Sequence, residues 1–277
     1  MSGMKRFVLS VPPNPEGMIH LYEKDYHYLV RVRRLKSGMC FDAVLPGGGE
    51  TQVRILSTVD NILIGECLGK PEQDPLSQAS LEKQPSTIPP IALFQGLPKG
   101  AKTDLIIRQA AECGVSVVAP FISEYSAVHL KKDSTENKSF AEKSKRWERI
   151  VREARQQSGS ARETRVNPPC GFEALLEYWD SIKKEYQRPI GILFHQEPLE
   201  KGSLHGYLGN YPDFVALAVG PEGGFSPNEV SLFLKAGFKP LLMGTTILRT
   251  ETASLYGIAA IRTILLENEW WRPQLKG

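Results

Sequence analysis

Two short stretches near the end of the chain carry the residue types that chemistry needs. Gly220-Pro221-Glu222-Gly223-Gly224-Phe225 lies between an apolar run, Phe214–Val219, and Ser226-Pro227-Asn228-Glu229, a capping box with proline at the first helical position. Three glycines let a backbone approach a ligand closely, and its peptide groups can pair with a heterocycle edge. In Gly244-Thr245-Thr246-Ile247-Leu248-Arg249-Thr250-Glu251-Thr252-Ala253, a guanidinium, a carboxylate and hydroxyls gather at a helix start. Loops that leave the carboxyl ends of strands are where open α/β sheets bind ligands. Together these loops point to a crevice for a small polar ligand. Taken alone, a glycine- and proline-rich turn is commonly only a turn, and Arg249 with Glu251 could equally be a surface ion pair.

Other chemistries lack their signatures. There is no G-x-G-x-x-G and no G-x-x-x-x-G-K-[ST], so no phosphate-binding loop is indicated. His20, His27, His129, His195 and His205 show no metal-ligand spacing, and no metal is expected. No G-x-S-x-G elbow occurs. His195 follows an apolar strand, which gives it a capping or packing role.

A second kind of signal is charge. Between Lys143 and Arg165, eight basic residues (Lys143, Lys145, Arg146, Arg149, Arg152, Arg155, Arg162, Arg165) face three acids, so this segment is +5 in a chain of net +3. On a helix, Lys145, Arg149 and Arg152 fall opposite Trp147, Ile150, Val151 and Ala154. Arg31, Arg33, Arg34 and Lys36 form another cluster. A charge run is as readily a solvated face. Two cationic patches in separate domains nevertheless suit a folded polyanion, whose phosphates such groups bind.

The elements that must position these groups divide in two. A chain of 277 residues fits two domains. Residues 1–70 contain strand-like pieces at Arg6–Val11, Met39–Leu45, Gln52–Thr58 and Ile62–Leu68, with a helix predicted over Lys24–Lys36 that stacks Leu29, Val32 and Leu35 on one stripe. Residues 71–90 are proline-rich and polar, and read as a linker. From 91 to 277, strands alternate with helices. Strands are predicted at Ile91–Gln95, Val115–Phe121, Gly191–His195, Phe214–Val219 and Leu241–Met243. Helices are predicted at Thr103–Cys113 (capped by Thr103, ended by Gly114), Phe140–Ser158 (ended by Gly159), after Ser226 (ended by Gly237) and at Glu251–Glu267. This alternation predicts a mostly parallel α/β sheet. With 41% hydrophobic and 23% charged residues the composition is that of an ordinary globular protein. No apolar run approaches the roughly 18 residues of a membrane span. The start lacks a secretory apolar stretch and the four cysteines are scattered, so a cytoplasmic protein with reduced thiols, and no membrane partner, is expected.

The two late loops, taken with the basic helix, resemble the SPOUT methyltransferases, and more closely the ribosomal RNA small subunit methyltransferase E family. The likeness also takes in Gln95-Gly96-Leu97-Pro98-Lys99-Gly100, Ile106–Gly114, Ser123-Glu124-Tyr125-Ser126, Trp147–Gly159, Arg6-Phe7, His27-Tyr28-Leu29 and Val32 through Gly38. One departure is the turn Gly159-Ser160-Ala161-Arg162, where the family usually has arginine directly after glycine. The resemblance implies a trefoil-knotted, parallel α/β domain with helices on both faces over 91–277, preceded by a PUA-like β-barrel for RNA binding over 1–70. It implies a homodimer and S-adenosyl-L-methionine held by Leu193, Val219, Gly220, Pro221, Glu222, Gly223, Gly224, Met243, Gly244, Ile247, Leu248, Arg249, Thr250, Thr252 and Ala253. The implied reaction is methylation of uridine N3 in 16S ribosomal RNA, alone or in the small ribosomal subunit. Arg249 is expected to stabilise the uridine carbonyl, and Glu222 or Glu251 to take the proton or orient Arg249. RNA contacts are expected from Arg6, Arg31, Arg33, Arg34, Lys36, Lys99, Lys145, Arg149, Arg152, Arg162 and Arg165. Two other readings remain open: a SPOUT enzyme acting on another RNA, and an RNA-binding ribosome assembly factor without catalysis.

Overall fold

The computed structural model describes residues 7–46, 49–69, 88–126, 134–160, 162–199, 202–242 and 244–270, with backbone alone for 134–142 and 268–270. Arg6, His129, Ala161, Met243 and nearly all of the expected linker lie outside the described residues. The chain forms two compact units: Met1–Pro85 with Arg152–Glu163, and Ser86–Val151 with Thr164–Gly277.

The first unit holds β1 (Phe7–Val8), β2 (Met18–Leu21), α1 (Glu23–Tyr26), β3 (Cys40–Val44), β4 (Glu50–Ser57) and β5 (Leu63–Cys67). The strands form one sheet in the order β1-β3-β4-β5-β2, antiparallel except for the β1–β3 pair. Alternation along β4 buries Thr51, Val53 and Ile55 on one face. These close over Phe7, Leu21, Leu29, Phe41 and Leu63 as a separate core.

The helix expected over Lys24–Lys36 is corrected in two ways. Only Glu23–Tyr26 is α-helical. His27–Val32 continues as a π-helix, whose last turn is closed by the Arg33 N–H donating to the Tyr28 carbonyl at 2.9 Å. This wider turn breaks the 3.6-residue stripe, so Leu29 is buried whereas Val32 is 58% exposed. Arg34, at φ +56, then ends the element.

The second unit is an all-parallel sheet in the order β12-β10-β11-β6-β7-β8, with β9 also paired to β7. Its elements are β6 (Ile91–Gly96), α2 (Lys102–Glu112), β7 (Val117–Ile122), α3 (Ser134–Ser158, whose residues from Arg152 onward belong to the first unit), β8 (Arg165–Val166), β9 (Cys170–Gly171), α4 (Phe172–Glu185), β10 (Pro189–Phe194), α5 (Leu204–Leu208), β11 (Phe214–Val219), α6 (Pro227–Lys235), β12 (Lys239–Leu241) and α7 (Thr250–Trp270). Because both faces of the central strands are covered, β6 and β11 are buried along their whole length. Phe94, Phe121, Phe172, Trp179, Phe233 and Phe238 fill one side. Trp179 and Phe238 lie 5.0 Å apart, and the Trp179 indole N–H donates to the Ala236 carbonyl.

Thr103 is not a cap. Helix α2 begins at Lys102 with Ala101 in the capping position, and Thr103 is buried in its first turn. Gly114, Gly159 and Gly237 all take positive φ where their helices end, as expected. The last strand is Lys239–Leu241, two residues earlier than predicted. Helix α4, not foreseen from the sequence, packs through Phe172, Leu175, Trp179 and Ile182.

Candidate active site

Strands β10, β11 and β12 end side by side, and the loops leaving their carboxyl ends enclose a cavity of about 810 Å³. Its walls come from Phe194–Glu197 after β10, Val219–Phe225 after β11, and Leu241, Leu242 and Gly244–Thr250 after β12. Lys102, Leu199, Pro227, Val230 and Ala253 complete it. The volume is in the range of sites that bury a small-molecule ligand.

A buried polar network ties the two glycine- and hydroxyl-bearing loops together. The Thr250 hydroxyl, at the start of α7, donates to the Gly220 carbonyl at 2.6 Å and accepts from Gln95 Nε2 at 2.9 Å. Gln95 Nε2 also donates to the Gly96 carbonyl, and the Ser254 hydroxyl, one turn into α7, is hydrogen-bonded to Gln95 Oε1. Gln95 is the polar exception in an otherwise apolar, fully buried strand. Beside it the backbone of Pro221 passes so close to β6 that a Cβ on Gly96 would lie 2.5 Å from Pro221 Cδ and 2.7 Å from its nitrogen. Only glycine admits this approach.

The capping box at Ser226 forms as expected, and its carboxylate does more than cap. Glu229 accepts from the Ser226 backbone N–H at 2.9 Å, the Ser123 hydroxyl at 3.0 Å and the Glu124 N–H at 2.9 Å. Buried at 4% exposure, it is fully engaged, and it fastens the loop after β7 to the start of α6.

At the edge of the cavity two carboxylates share one ammonium. Lys102 Nζ lies 2.9 Å from Glu222 Oε1 and 3.4 Å from Glu251 Oε2. The Lys99 backbone N–H points at both Glu222 oxygens, each at 3.3 Å. Burial pushes the Glu222 carboxyl up, but the hydrogen bonds from Lys102 and Lys99 outweigh it and hold the group below the usual carboxylate range. The hydrogen bond to Glu222 lifts the Lys102 ammonium above the ordinary lysine range. Arg249 lines the cavity and is exposed; among the described residues its guanidinium takes no hydrogen-bond or ion-pair partner.

The structure brings Val219, Gly220, Pro221, Glu222, Gly223, Gly224, Gly244, Ile247, Leu248, Arg249, Thr250 and Ala253 to one cavity. Leu193 does not line it: strand alternation sends this side chain into the core, and its neighbour Phe194 forms the wall. Thr252 is exposed and not among the lining residues, and Glu251 reaches the site through Lys102. Sequence reasoning missed Lys102, Gln95, Ser254 and Phe194. A lone glutamine in an apolar strand was the available signal for Gln95.

Of the basic groups, Lys145, Arg149 and Arg152 are exposed on α3, as are Arg165 on β8 and Lys99. Arg162 is half-buried. Members of the run are also used within the protein. Arg146 pairs with Asp104, and Arg155, with Nη1 directed at the Pro46 carbonyl, is buried, and that burial draws its guanidinium below the ordinary range. In the first unit Arg31, Arg34 and Lys36 are exposed and Arg33 is half-buried. His195 has a local capping role, its Nδ1 accepting from the Glu197 N–H at 3.1 Å. Among the described residues no group of three or more His, Cys, Asp or Glu side chains could hold a metal, and no helix is long and apolar enough to cross a membrane.

Residues 84–262 match the model of an RNA methyltransferase domain. The chain is 32% identical over 265 residues to the ribosomal RNA small subunit methyltransferase E of Synechocystis, covering 94% of this chain and 78% of that one. It is 28% identical to ribosomal RNA small subunit methyltransferase E 2 of Borreliella burgdorferi, covering 87% and 89%. A crystal structure of the Neisseria gonorrhoeae ribosomal RNA small subunit methyltransferase E bound to S-adenosyl methionine superposes with a TM-score of 0.71 at 25% identity, covering 95% of this chain and 98% of that one.

Proposed function

This chain belongs to the ribosomal RNA small subunit methyltransferase E family, and from that premise we propose that it methylates N3 of a uridine in 16S ribosomal RNA with S-adenosyl-L-methionine. The observation that carries the reading is the convergence of the Gly220–Gly224 and Gly244–Ala253 loops on one cavity, joined by the hydrogen bond from Thr250 to Gly220. The cavity fits the cofactor's mixed character. Phe194, Leu241, Leu242, Ile247 and Leu248 offer apolar surface, and the glycine-bearing loop offers backbone donors and acceptors. Bound there, S-adenosyl-L-methionine would supply an electrophilic methyl group.

The chain's own residues then have three tasks. The loops hold the donor in line with the incoming nitrogen, which is where most of the advantage of binding arises. Arg249 donates to a uridine carbonyl oxygen as N3 loses its proton and negative charge spreads onto that oxygen. Glu222, ion-paired with Lys102 and so a weakened base, is poorly suited to accept the N3 proton, which passes to water. The base must be unstacked before N3 can be reached.

The same reading assigns the exposed Arg31, Arg34, Lys36, Lys99, Lys145, Arg149, Arg152 and Arg165 to RNA phosphates, treats the first unit as a PUA-like module, and takes the second to be trefoil-knotted, dimeric and cytoplasmic. Mass-spectrometric mapping of ribosomal RNA from cells with and without this protein tests it. One uridine in the small-subunit RNA should lose its N3 methyl group in the deletion and regain it on complementation. Unchanged maps, or loss of a methyl on another RNA, would refute the assignment.

A further inference from the structure

We propose that Lys102 is a positioning residue that occupies both carboxylates beside the cavity and thereby leaves Arg249 free for the substrate; this rests on the methyltransferase reading above. Three elements meet at this ammonium. Lys102 stands at the start of α2, Glu222 on the loop after β11, and Glu251 in the first turn of α7, with Nζ within 3.4 Å of an oxygen on each. Arg249 sits two residues before Glu251 and lines the same cavity as Glu222. A guanidinium forms a forked, two-bond pair with a carboxylate that an ammonium cannot match. An unpaired carboxylate on the wall that carries Arg249, or two residues along the chain from it, would compete for that guanidinium. Lys102 hydrogen-bonds Glu222 and ion-pairs with Glu251, whose Oε2 has no hydrogen-bond partner of its own among the described residues, and Glu222 is held again by the Lys99 N–H.

Removing the ammonium leaves two like charges with no shared counter-ion, and like charges so placed repel. Capture of Arg249 by one of them is the nearest relief. The enzyme would still fold and bind its cofactor, but the donor aimed at the uridine carbonyl would be spent. Lys102 acts through the two carboxylates it pairs with, and its ammonium, having no lone pair, cannot serve as a proton acceptor.

The test uses the full-length protein, radiolabelled S-adenosyl-L-methionine and small ribosomal subunits lacking the modification. Wild type, Lys102→Met, Lys102→Arg, Glu222→Gln and the Lys102→Met/Glu222→Gln double variant are compared. Turnover is measured beside cofactor affinity by calorimetry and thermal unfolding. Lys102→Met should lose about tenfold in kcat while cofactor Kd stays within about twofold. Lys102→Arg should recover most of the rate. Adding Glu222→Gln to Lys102→Met should restore part of the rate, since one of the two freed carboxylates is gone and only Glu251 still competes for Arg249. Full turnover in Lys102→Met, a double variant no faster than the single, or a rate loss matched by equal losses of affinity and melting temperature would each overturn the role. A wild type that binds cofactor but methylates no RNA would remove the functional reading and this inference together, whereas an active wild type with any of the preceding results sinks the inference alone.

Discussion

Replacing Thr250 with valine keeps the shape of the side chain and deletes one hydroxyl. In the native site that hydroxyl donates to the Gly220 carbonyl at 2.6 Å and accepts from Gln95 Nε2 at 2.9 Å, in surroundings where Thr250 is 5% exposed. Gln95 Nε2 keeps its second partner, the Gly96 carbonyl at 2.8 Å, so its loss is partial. The Gly220 carbonyl is the group left bare. Orphaning a buried polar group costs about 1–3 kcal/mol, and we expect about 2 kcal/mol for the pair of losses. At roughly 2–4 °C per kcal/mol for a chain of this size, Tm should fall by about 4–8 °C. Because this bond couples the two loops, calorimetry should also show S-adenosyl-L-methionine bound about tenfold more weakly. Thr250→Ser retains the hydroxyl and should keep the cofactor affinity. A valine variant melting within about 1 °C of wild type with unchanged affinity would show that the network does not hold the loops together, and the reasoning would fail.

Three further outcomes follow from the same geometry. Gly96→Ala places a methyl where Pro221 already lies, so a loss of about 1–3 kcal/mol in unfolding free energy and weaker cofactor binding are expected; an alanine variant as stable as wild type contradicts the close approach. Arg249→Ala should lower kcat by about a hundredfold with cofactor Kd little changed, as single-turnover and calorimetric measurements would reveal, and full turnover removes its assigned role. The third concerns pH. Glu222 has a folded pKa below its ordinary value, so its contribution is present above the usual carboxylate range and is lost as pH falls through the folded value. Lys102 has the opposite sign, contributing below the ordinary lysine range until pH rises through its raised value. Urea unfolding of wild type and Glu222→Gln from about pH 6 down to about pH 3 should therefore converge toward acid, and divergence would show the sign to be wrong.

What could be read from the sequence followed the strength of local signals. Ser226, Pro227 and Glu229 specify a helix start by backbone hydrogen bonds alone, and the capping box forms as written. Strand Phe214–Val219 is apolar throughout because both its faces are covered, and its bounds agree to the residue. Local signals fail where a tertiary or non-standard feature decides. Nothing in Lys24–Lys36 announces a π turn, so a regular 3.6-residue stripe was assigned to Val32. Helix α4 has only four buried residues among many charges, and Trp179 finds its partners in β6 and beyond α6. At the site, the loop residues stood out by type, but the groups that fix them did not. Lys102 precedes Glu222 by 120 positions, and Gln95 precedes Thr250 by 155, so only folding makes either pair visible.

Helix α7 carries a glycine, Gly257, where a Cβ would lie 2.5 Å from the Phe194 ring and 2.7 Å from Leu217. Since Phe194 lines the cavity, its depth is set from behind, by an atom that is missing from the supporting helix. Side chains at 194, 217 and 257 therefore compete for one volume. A homologue that acquires alanine at 257 must shrink one of the other two, and trimming residue 194 would deepen the chamber enough to admit a bulkier donor. Pocket size could thus be re-engineered without altering any of the loops that touch the ligand.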